Sequence, residues 1–337
     1  MSILANQENF VRAGMTWQQH LKHAIRDAET LAKQLKLPLD SICRQQSQSD
    51  FPLFVPLPYL SRIEVGNATD PLLLQVLPTT DENSTGSGYS SDPLQEKTYT
   101  LGPGLLQKYD SRVLLVTTGA CAIHCRYCFR REFPYSDSPS SLEAWEPSLQ
   151  QIEADQSIDE VILSGGDPLT LVDSLLEQLI KRIESIQHIK RLRIHTRLPI
   201  VIPQRVTDNF AELIRQSRLR SVIVVHVNHF RELDKEVETA LHVLNSAGAM
   251  LLNQSVLLRQ VNDSVHALRA LSERLVECGV TPYYLHQLDK VNGTEHFHVP
   301  IETGKSLIEE LRGQVSGYLV PKYVQEIPGK KNKTALL

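Results

Sequence analysis

From residue 112 to residue 287 the chain alternates six short runs rich in β-branched and aliphatic residues with segments of helical periodicity. This alternation restricts the fold more than any other feature, because strand–helix repeats imply a parallel sheet covered by helices. The predicted strands are 112–118, 160–164, 191–196, 221–228, 250–257 and 282–287, and the helices are 171–186, 207–216, 232–247, 265–278 and 302–312. In the segment 265–278, Val265, Leu268, Leu271, Leu275 and Val276 fall on one face. An eight-unit barrel typically needs about 250 residues, and this region is shorter. The expected fold is therefore α/β, a partial (β/α)6 barrel, in preference to a flat doubly wound sheet. Either architecture gathers ligands at the C-terminal ends of the strands.

The segment before the barrel reads differently. Leu21, Ala24, Ile25, Ala28, Leu31, Ala32 and Leu35 recur at near-helical spacing and predict an amphipathic helix over 17–35. Pro52, Pro56 and Pro58 then punctuate the chain, and the polar stretch 79–91 is expected to be an exposed loop. The expected organisation is a helical N-terminal cap over 1–100, a barrel over 101–325 and a C-terminal tail over 326–337. A net charge of −4 leaves no electrostatic footprint for nucleic acid or an anionic membrane. No apolar run approaches the roughly 18 residues needed to span a bilayer. The first residues lack the basic and apolar regions of a signal peptide.

Cys121, Cys125 and Cys128 stand at C-x3-C-x2-C spacing directly after the first predicted strand. Thiolate is the usual protein ligand of iron–sulfur clusters. Three such thiols suit three irons of a [4Fe–4S] cluster and leave the fourth iron for a small-molecule ligand. A zinc knuckle is the competing reading, but structural zinc takes four ligands in a closed site. His124, the nearest fourth candidate, lies inside the loop between two of the cysteines. Cys43 and Cys278 are distant and read as packed thiols. An odd, sparse cysteine set argues for a reducing compartment over a secreted disulfide framework.

Ser164, Gly165, Gly166, Asp167 and Pro168 follow the second strand, where glycines allow close backbone approach to a ligand and a carboxylate can accept from an ammonium. An ordinary strand-to-helix turn, with Asp167 as its cap, is the plainer alternative. His195, His226 with Asn228 and His229, and Gln254 lie near the ends of strands three to five. Strand alternation points His226 and Asn228 the same way. These residues read as polar lining of a cavity, with Gln254 a candidate donor to a cofactor. The tail carries Lys330, Lys331 and Lys333. Taken alone it is a solvated basic terminus; a lysine carrying pyridoxal phosphate as a Schiff base is the sharper alternative.

Together these segments resemble the lysine 2,3-aminomutase family of radical S-adenosylmethionine enzymes over about residues 101–333. The likeness is carried by the three cysteines with Arg130 and Arg131, by Ser164 through Pro168, and by His195-Thr196-Arg197-Leu198-Pro199. It continues in His226, Asn228 and His229, in Asn253 through Leu258 with Asn262 and Asp263, and in Glu295-His296-Phe297. The short tail and the cap look closest to the branch that supplies (R)-β-lysine for elongation factor P.

The resemblance implies a barrel of the radical S-adenosylmethionine type, a [4Fe–4S] cluster on Cys121, Cys125 and Cys128, and S-adenosylmethionine on Ser164, Gly165, Gly166, Asp167 and Gln254. It implies pyridoxal 5′-phosphate on Lys333, at the end of a Pro-Gly-x-x-x-Lys run, with Arg112 close by. Lys330 and Lys331 stand where the family has glycines. Arg130 would pair with the substrate carboxylate, and Asp289 and Glu326 with the distal ammonium of L-lysine. Glu326 departs from the family's aspartate by one methylene. The implied reaction is an isomerisation, L-α-lysine to (R)-β-lysine. A deoxyadenosyl radical takes a hydrogen from C3, nitrogen migrates from C2 to C3, and the hydrogen returns. The implied partners are a reductant such as flavodoxin or ferredoxin, and elongation factor P with its lysyl ligase; a cytoplasmic location follows, and a homo-oligomer is allowed. The alternatives are a radical aminomutase for another cationic amino acid, and a non-catalytic Fe–S or zinc protein that binds a translation factor.

Overall fold

Each of the six predicted runs forms a strand, and four further short strands extend the sheet on both sides. The computed structural model describes residues 14–38, 51–84, 86–134 and 138–337, so Cys43 lies outside the described residues. The strands are β1 (Thr100–Gly102), β2 (Leu105–Tyr109), β3 (Arg112–Thr118), β4 (Glu160–Gly165), β5 (Arg191–Thr196), β6 (Arg220–His226), β7 (Met250–Val256), β8 (Thr281–His286), β9 (Lys322–Gln325) and β10 (Thr334–Ala335). They form one sheet in sequence order. Neighbours from β3 to β9 run parallel, while β1–β2–β3 and β9–β10 are antiparallel.

The sheet is curled. β2 and β9 are seven steps apart in the sheet order, roughly 30 Å if the sheet were flat. Yet the Tyr109 hydroxyl, on β2, donates to the carboxylate of Glu326, the residue after β9. Contact over that span requires a partial barrel whose open seam is bridged by side chains. Alternation along each strand separates two faces. On β5, Leu192, Ile194 and Thr196 are buried, while Arg191, Arg193 and His195 are partly open.

The longer helices are α1 (Trp17–Lys22), α2 (Ala28–Leu35), α3 (Leu142–Ala154), α4 (Asp173–Ser185), α5 (Asp208–Gln216), α6 (Lys235–Ser246), α7 (Val265–Glu277) and α8 (Ile301–Gln314). Their apolar stripes cover the outward face of the strands. Trp145 and Leu149 of α3, Leu176 and Leu179 of α4, Phe210 of α5 and Leu241 of α6 share one core with Val113, Leu163, Ile194 and Val225. Each such fully buried side chain contributes about 1.5–3 kcal/mol relative to exposure. Cys278 is buried in the same core, and its thiol is pushed up to about 11, mainly by burial.

Three expectations are corrected. The helix over 17–35 is two helices. Ile25 leaves the helical path to pair with Val55 (N to O 2.8 and 2.9 Å), and the Asp27 carboxylate then caps α2 by accepting from Thr30 N at 2.7 Å. The fourth strand stops at His226 because the Asn253 side chain takes both backbone groups of Val227 (2.9 and 3.2 Å) out of the ladder. The polar stretch 79–91 is not uniformly exposed: Glu82 is buried between Arg126 (Nε to Oε1 2.7 Å) and Arg131 (Nη2 to Oε2 2.6 Å).

The N-terminal extension is bolted to the barrel by specific contacts. Arg205 lies over the Trp17 ring at 4.8 Å, and Arg62 donates to the carbonyls of Ile200 (2.7 Å) and Glu232 (2.8 Å). Among the described residues, no helix is long and apolar enough to cross a membrane.

Candidate active site

The loop after β3 carries Cys121, Cys125 and Cys128. Its conformation is held from outside by Arg126, whose side chain reaches Glu82, and by His124, whose Nδ1 lies 2.9 Å from the Pro52 carbonyl while its ring stacks on Phe51 at 4.8 Å. His124 is thereby committed to the N-terminal extension, away from any role as a fourth zinc ligand. The three thiols are near neighbours. Burial pushes Cys121 up, and Cys128 up to about 11, and the charges of the other cysteines add to it. Cations able to draw off those protons suit such a set. Among the described residues, no three His, Cys, Asp or Glu side chains converge on one ion. A cluster that gives each thiolate its own iron does not need that convergence.

Arg197, just beyond β5, donates through Nη1 to the Cys125 sulfur at 2.7 Å and through Nη2 to Glu232 and to Gln75, both at 2.8 Å. Glu232 is fully buried; burial pushes its carboxyl up, but Arg197 and its other donors hold it below the usual range. This buried network of Arg197, Glu232, Gln75 and Asn228 escaped the sequence reading. Its members come from three distant segments, around positions 75, 197 and 228–232, and no local pattern links them. Asn228, expected to point with His226, instead donates to Gln75 Oε1 (3.0 Å) and accepts from Val256 N (2.8 Å).

The glycine loop after β4 lies against the cysteine loop. Gly165 has φ +121°, and a Cβ on Gly166 would sit 2.2 Å from the Ala120 carbonyl oxygen, so neither position accepts a side chain without rearrangement. The Asp167 carboxylate faces inward. Oδ1 accepts from Thr196 Oγ1 (2.7 Å) and Leu169 N (3.0 Å), and Oδ2 from Arg197 N (2.7 Å) and Leu198 N (3.0 Å). Burial raises its pKa against these donors. The structure thus spends Asp167 on tying the end of β4 to the end of β5. This is the arrangement that the capping alternative describes. Ser164, one face away, receives Arg130 Nη1 at 3.1 Å.

At the C-terminal ends of the strands, partly buried imidazoles line the barrel. Burial, with nearby cations, pushes His195 and His286 well down and His226 down to about 3. Neutral imidazoles can pack and hydrogen-bond but cannot serve as counter-ions. His226 Nε2 lies 3.0 Å from the Tyr127 hydroxyl, and Gln254 is its register partner on β7. His229 caps the following turn, where its Nδ1 accepts from Arg231 N at 3.3 Å.

The C-terminal tail returns as a hairpin. Thr334 pairs with Gln325 and Ala335 with Val324, so Lys333 and Glu326 face each other at the foot of the two strands. The Lys333 ammonium meets one Glu326 oxygen, and the Tyr109 hydroxyl meets the other. Lys108 Nζ is 3.8 Å away. Burial pushes the Glu326 carboxyl up, but Lys333, Tyr109 and Lys108 outweigh it and hold it below the usual range. Lys330 and Lys331 are exposed. Asp289 belongs to the same charged group. Burial, with Glu326 and Glu96 nearby, pushes its carboxyl up to about 7, although Lys333 and Lys108 pull the other way. Arg130 is engaged at a bidentate ion pair with Glu96, a residue that sequence reading did not single out. Arg112 lies at the start of β3 with its guanidinium over the Tyr109 ring at 4.4 Å. The barrel therefore brings together the cysteines, the glycine loop, Arg130, Asp289, Glu326 and Lys333, which span over two hundred positions of sequence.

Residues 115–244 match the radical SAM superfamily. The L-lysine 2,3-aminomutase of Haemophilus influenzae is 46% identical over 329 residues, covering 97% of this chain and 97% of that protein. The L-lysine 2,3-aminomutase of Escherichia coli is 44% identical over 322 residues, 95% of this chain and 94% of that protein. A crystal structure of a radical SAM methyltransferase from Sphaerobacter thermophilus aligns at 15% identity and a TM-score of 0.47, over 66% of this chain and 68% of that one. Identity at this level over nearly the whole length, with the cysteine loop set on a partial barrel, leads to one conclusion: the chain belongs to the L-lysine 2,3-aminomutase family of radical SAM isomerases, whose cofactors are a [4Fe–4S] cluster, S-adenosylmethionine and pyridoxal 5′-phosphate.

Proposed function

We propose that this protein is a radical aminomutase that converts L-α-lysine to (R)-β-lysine, and that the product serves the β-lysylation of elongation factor P in the cytoplasm. The observation that carries the lysine reading is Asp289. Its carboxylate makes no ion pair or hydrogen bond among the described residues, yet burial has raised it to about 7. A carboxylate partly withdrawn from water without a partner is disfavoured, and the ammonium of a bound lysine would offset that.

When bound, the cluster with S-adenosylmethionine supplies a carbon radical able to abstract hydrogen, and pyridoxal phosphate supplies the ring that carries the migrating nitrogen. The thiols of Cys121, Cys125 and Cys128 hold the cluster, with Arg197 donating to the Cys125 sulfur. Backbone approach at Gly165 and Gly166, with Ser164 and Gln254, accommodates S-adenosylmethionine; Asp167 shapes that loop through its hydrogen bonds to the end of β5. Lys333 carries pyridoxal phosphate, and Arg112 flanks it. Arg130 grips the substrate carboxylate through guanidinium geometry, while Asp289 and Glu326 take the distal ammonium. Opposite charges at the two ends fix where C3 of lysine stands, and such orientation supplies much of the rate. The neutral imidazoles of His195, His226 and His286 line the cavity without adding a charge that would compete for the substrate.

Anaerobically reconstituted protein, given lysine, S-adenosylmethionine and flavodoxin or ferredoxin with a reductant, is expected to form (R)-β-lysine on chiral analysis. Arginine and ornithine offered in parallel should turn over poorly. A chain that binds one zinc and no iron, or leaves lysine unchanged, refutes the reading. Lys333→Ala should lose both the pyridoxal phosphate absorbance and turnover; retention of both sinks the assignment of that lysine. The elongation factor link requires that the product, with the lysyl ligase, add one β-lysyl mass to elongation factor P more readily than α-lysine does.

A further inference from the structure

Glu96 stands in the single turn Glu96–Tyr99, between the N-terminal extension and β1. It is buried, and its carboxylate takes the Nε and Nη2 edge of Arg130 with both distances 2.8 Å. We propose that Glu96 is a positioning residue for the carboxylate end of the site, acting through Arg130. The inference rests on the lysine reading above.

A guanidinium is a planar fork, so an anion that holds one edge fixes the plane and the direction of the rest. Held this way, Arg130 turns Nη1 toward Ser164 Oγ at 3.1 Å, beside the glycine loop. The alternative, that Glu96 is a plug which swings away, disagrees with how firmly the turn is tied. Glu96 N donates to Asp92 Oδ1 at 3.0 Å, and at the other end the Tyr99 hydroxyl accepts from Gly329 N at 2.8 Å. Gln95, just before the turn, holds a left-handed φ of 50°. The Tyr99 ring also lies 5.2 Å beneath Lys108 Nζ, so one turn touches both the Arg130 end and the tail hairpin that carries Lys333.

Glu96 acts electrostatically on both Asp289 and Glu326, so these carboxylates lie within reach of the group around Arg130. An arginine released from Glu96 loses the anion that fixes its plane and direction, so its fork is no longer aimed where the substrate carboxylate is to lie. This loss outweighs the stronger pull on an anion that Arg130 would gain by shedding its counter-charge.

Glu96→Gln keeps the shape and removes the charge. With cluster content and pyridoxal phosphate loading at the wild-type level, its affinity for lysine, read from the change in pyridoxal phosphate absorbance, is expected to fall about tenfold or more. Glu96→Asp should weaken it only about two- to fivefold, the partial rescue expected of a retained carboxylate. Lysine binding at the wild-type affinity or tighter in Glu96→Gln overturns the proposal. Should Glu96→Gln fail to fold, Glu96→Asp decides: no loss of lysine affinity refutes it. A wild-type protein that loads no pyridoxal phosphate and leaves lysine unchanged refutes the lysine reading instead. A wild-type protein active on lysine, with indifferent Glu96 variants, refutes the role of Glu96 alone.

Discussion

Asp289→Asn should make the cofactor-free protein more stable at neutral and alkaline pH while removing the contact proposed for lysine. Folding raises this carboxyl from an ordinary 3.8 to about 7. Between those values the folded chain keeps a proton that the unfolded chain has released, so stability falls as pH climbs from about 4 through 7 and then levels. At ~1.4 kcal/mol per tenfold change in proton affinity, the loss above pH 7.5 amounts to about 4 kcal/mol, or about 2–3 once water in the cavity is allowed for. Asparagine does not ionise and escapes that loss. The assay is urea unfolding of wild-type and Asp289→Asn protein at half-unit steps from pH 4 to 8.5. The variant's advantage should open between pH 4 and 7 and reach about 2–4 kcal/mol by pH 8. A difference that stays flat with pH, or that shifts in favour of the wild type as pH rises, refutes the claim that Asp289 is a partly buried carboxylate awaiting a cation.

Asp167→Ala strips the acceptor from four donors and should cost about 3–5 kcal/mol of stability, read as a drop in the urea midpoint; a change within ~0.5 kcal/mol would mean that the β4–β5 tie is idle. Removing residues 334–337 deletes β10 but spares Lys333, and pyridoxal phosphate affinity should fall about tenfold or more because Lys333 loses its strand register. Undiminished loading, followed by absorbance, would show that the hairpin does not place the lysine.

What was legible in the sequence and what was not divides along physical lines. The six strands β3 to β8 were visible because buried parallel strands are continuous aliphatic runs bounded by helical periodicity. β9 and β10 are four and two residues long, too short to set a period. The cysteine spacing was local and therefore readable. The Arg130–Glu96 pair joins residues 34 positions apart, and the Arg197–Glu232–Gln75 network joins the barrel to the extension. Both depend on the tertiary path. The glycines at 165 and 166 were readable as a close approach, but the direction of the Asp167 carboxylate was not. A single residue either side of a strand end reverses which face it serves. The one-helix expectation for 17–35 failed because apolar spacing does not register a cap: Asp27 and the Ile25–Val55 bridge end one helix and begin another.

The two outermost strands have a further consequence. A run of parallel strands that ended at β3 or β9 would present an unpaired ladder, a template for association with other chains. Here β1 and β2 cover one border and β10 covers the other, each a few residues long and antiparallel to its neighbour. Short borders leave little backbone for a stranger to pair with. At β10 this protection is supplied by the same returning segment that presents Lys333, so edge protection and the proposed cofactor lysine share one piece of backbone. A lesion that loosens the tail would bare β9 and displace Lys333 together, so on the function proposed above the inactive molecules would also be the adhesive ones.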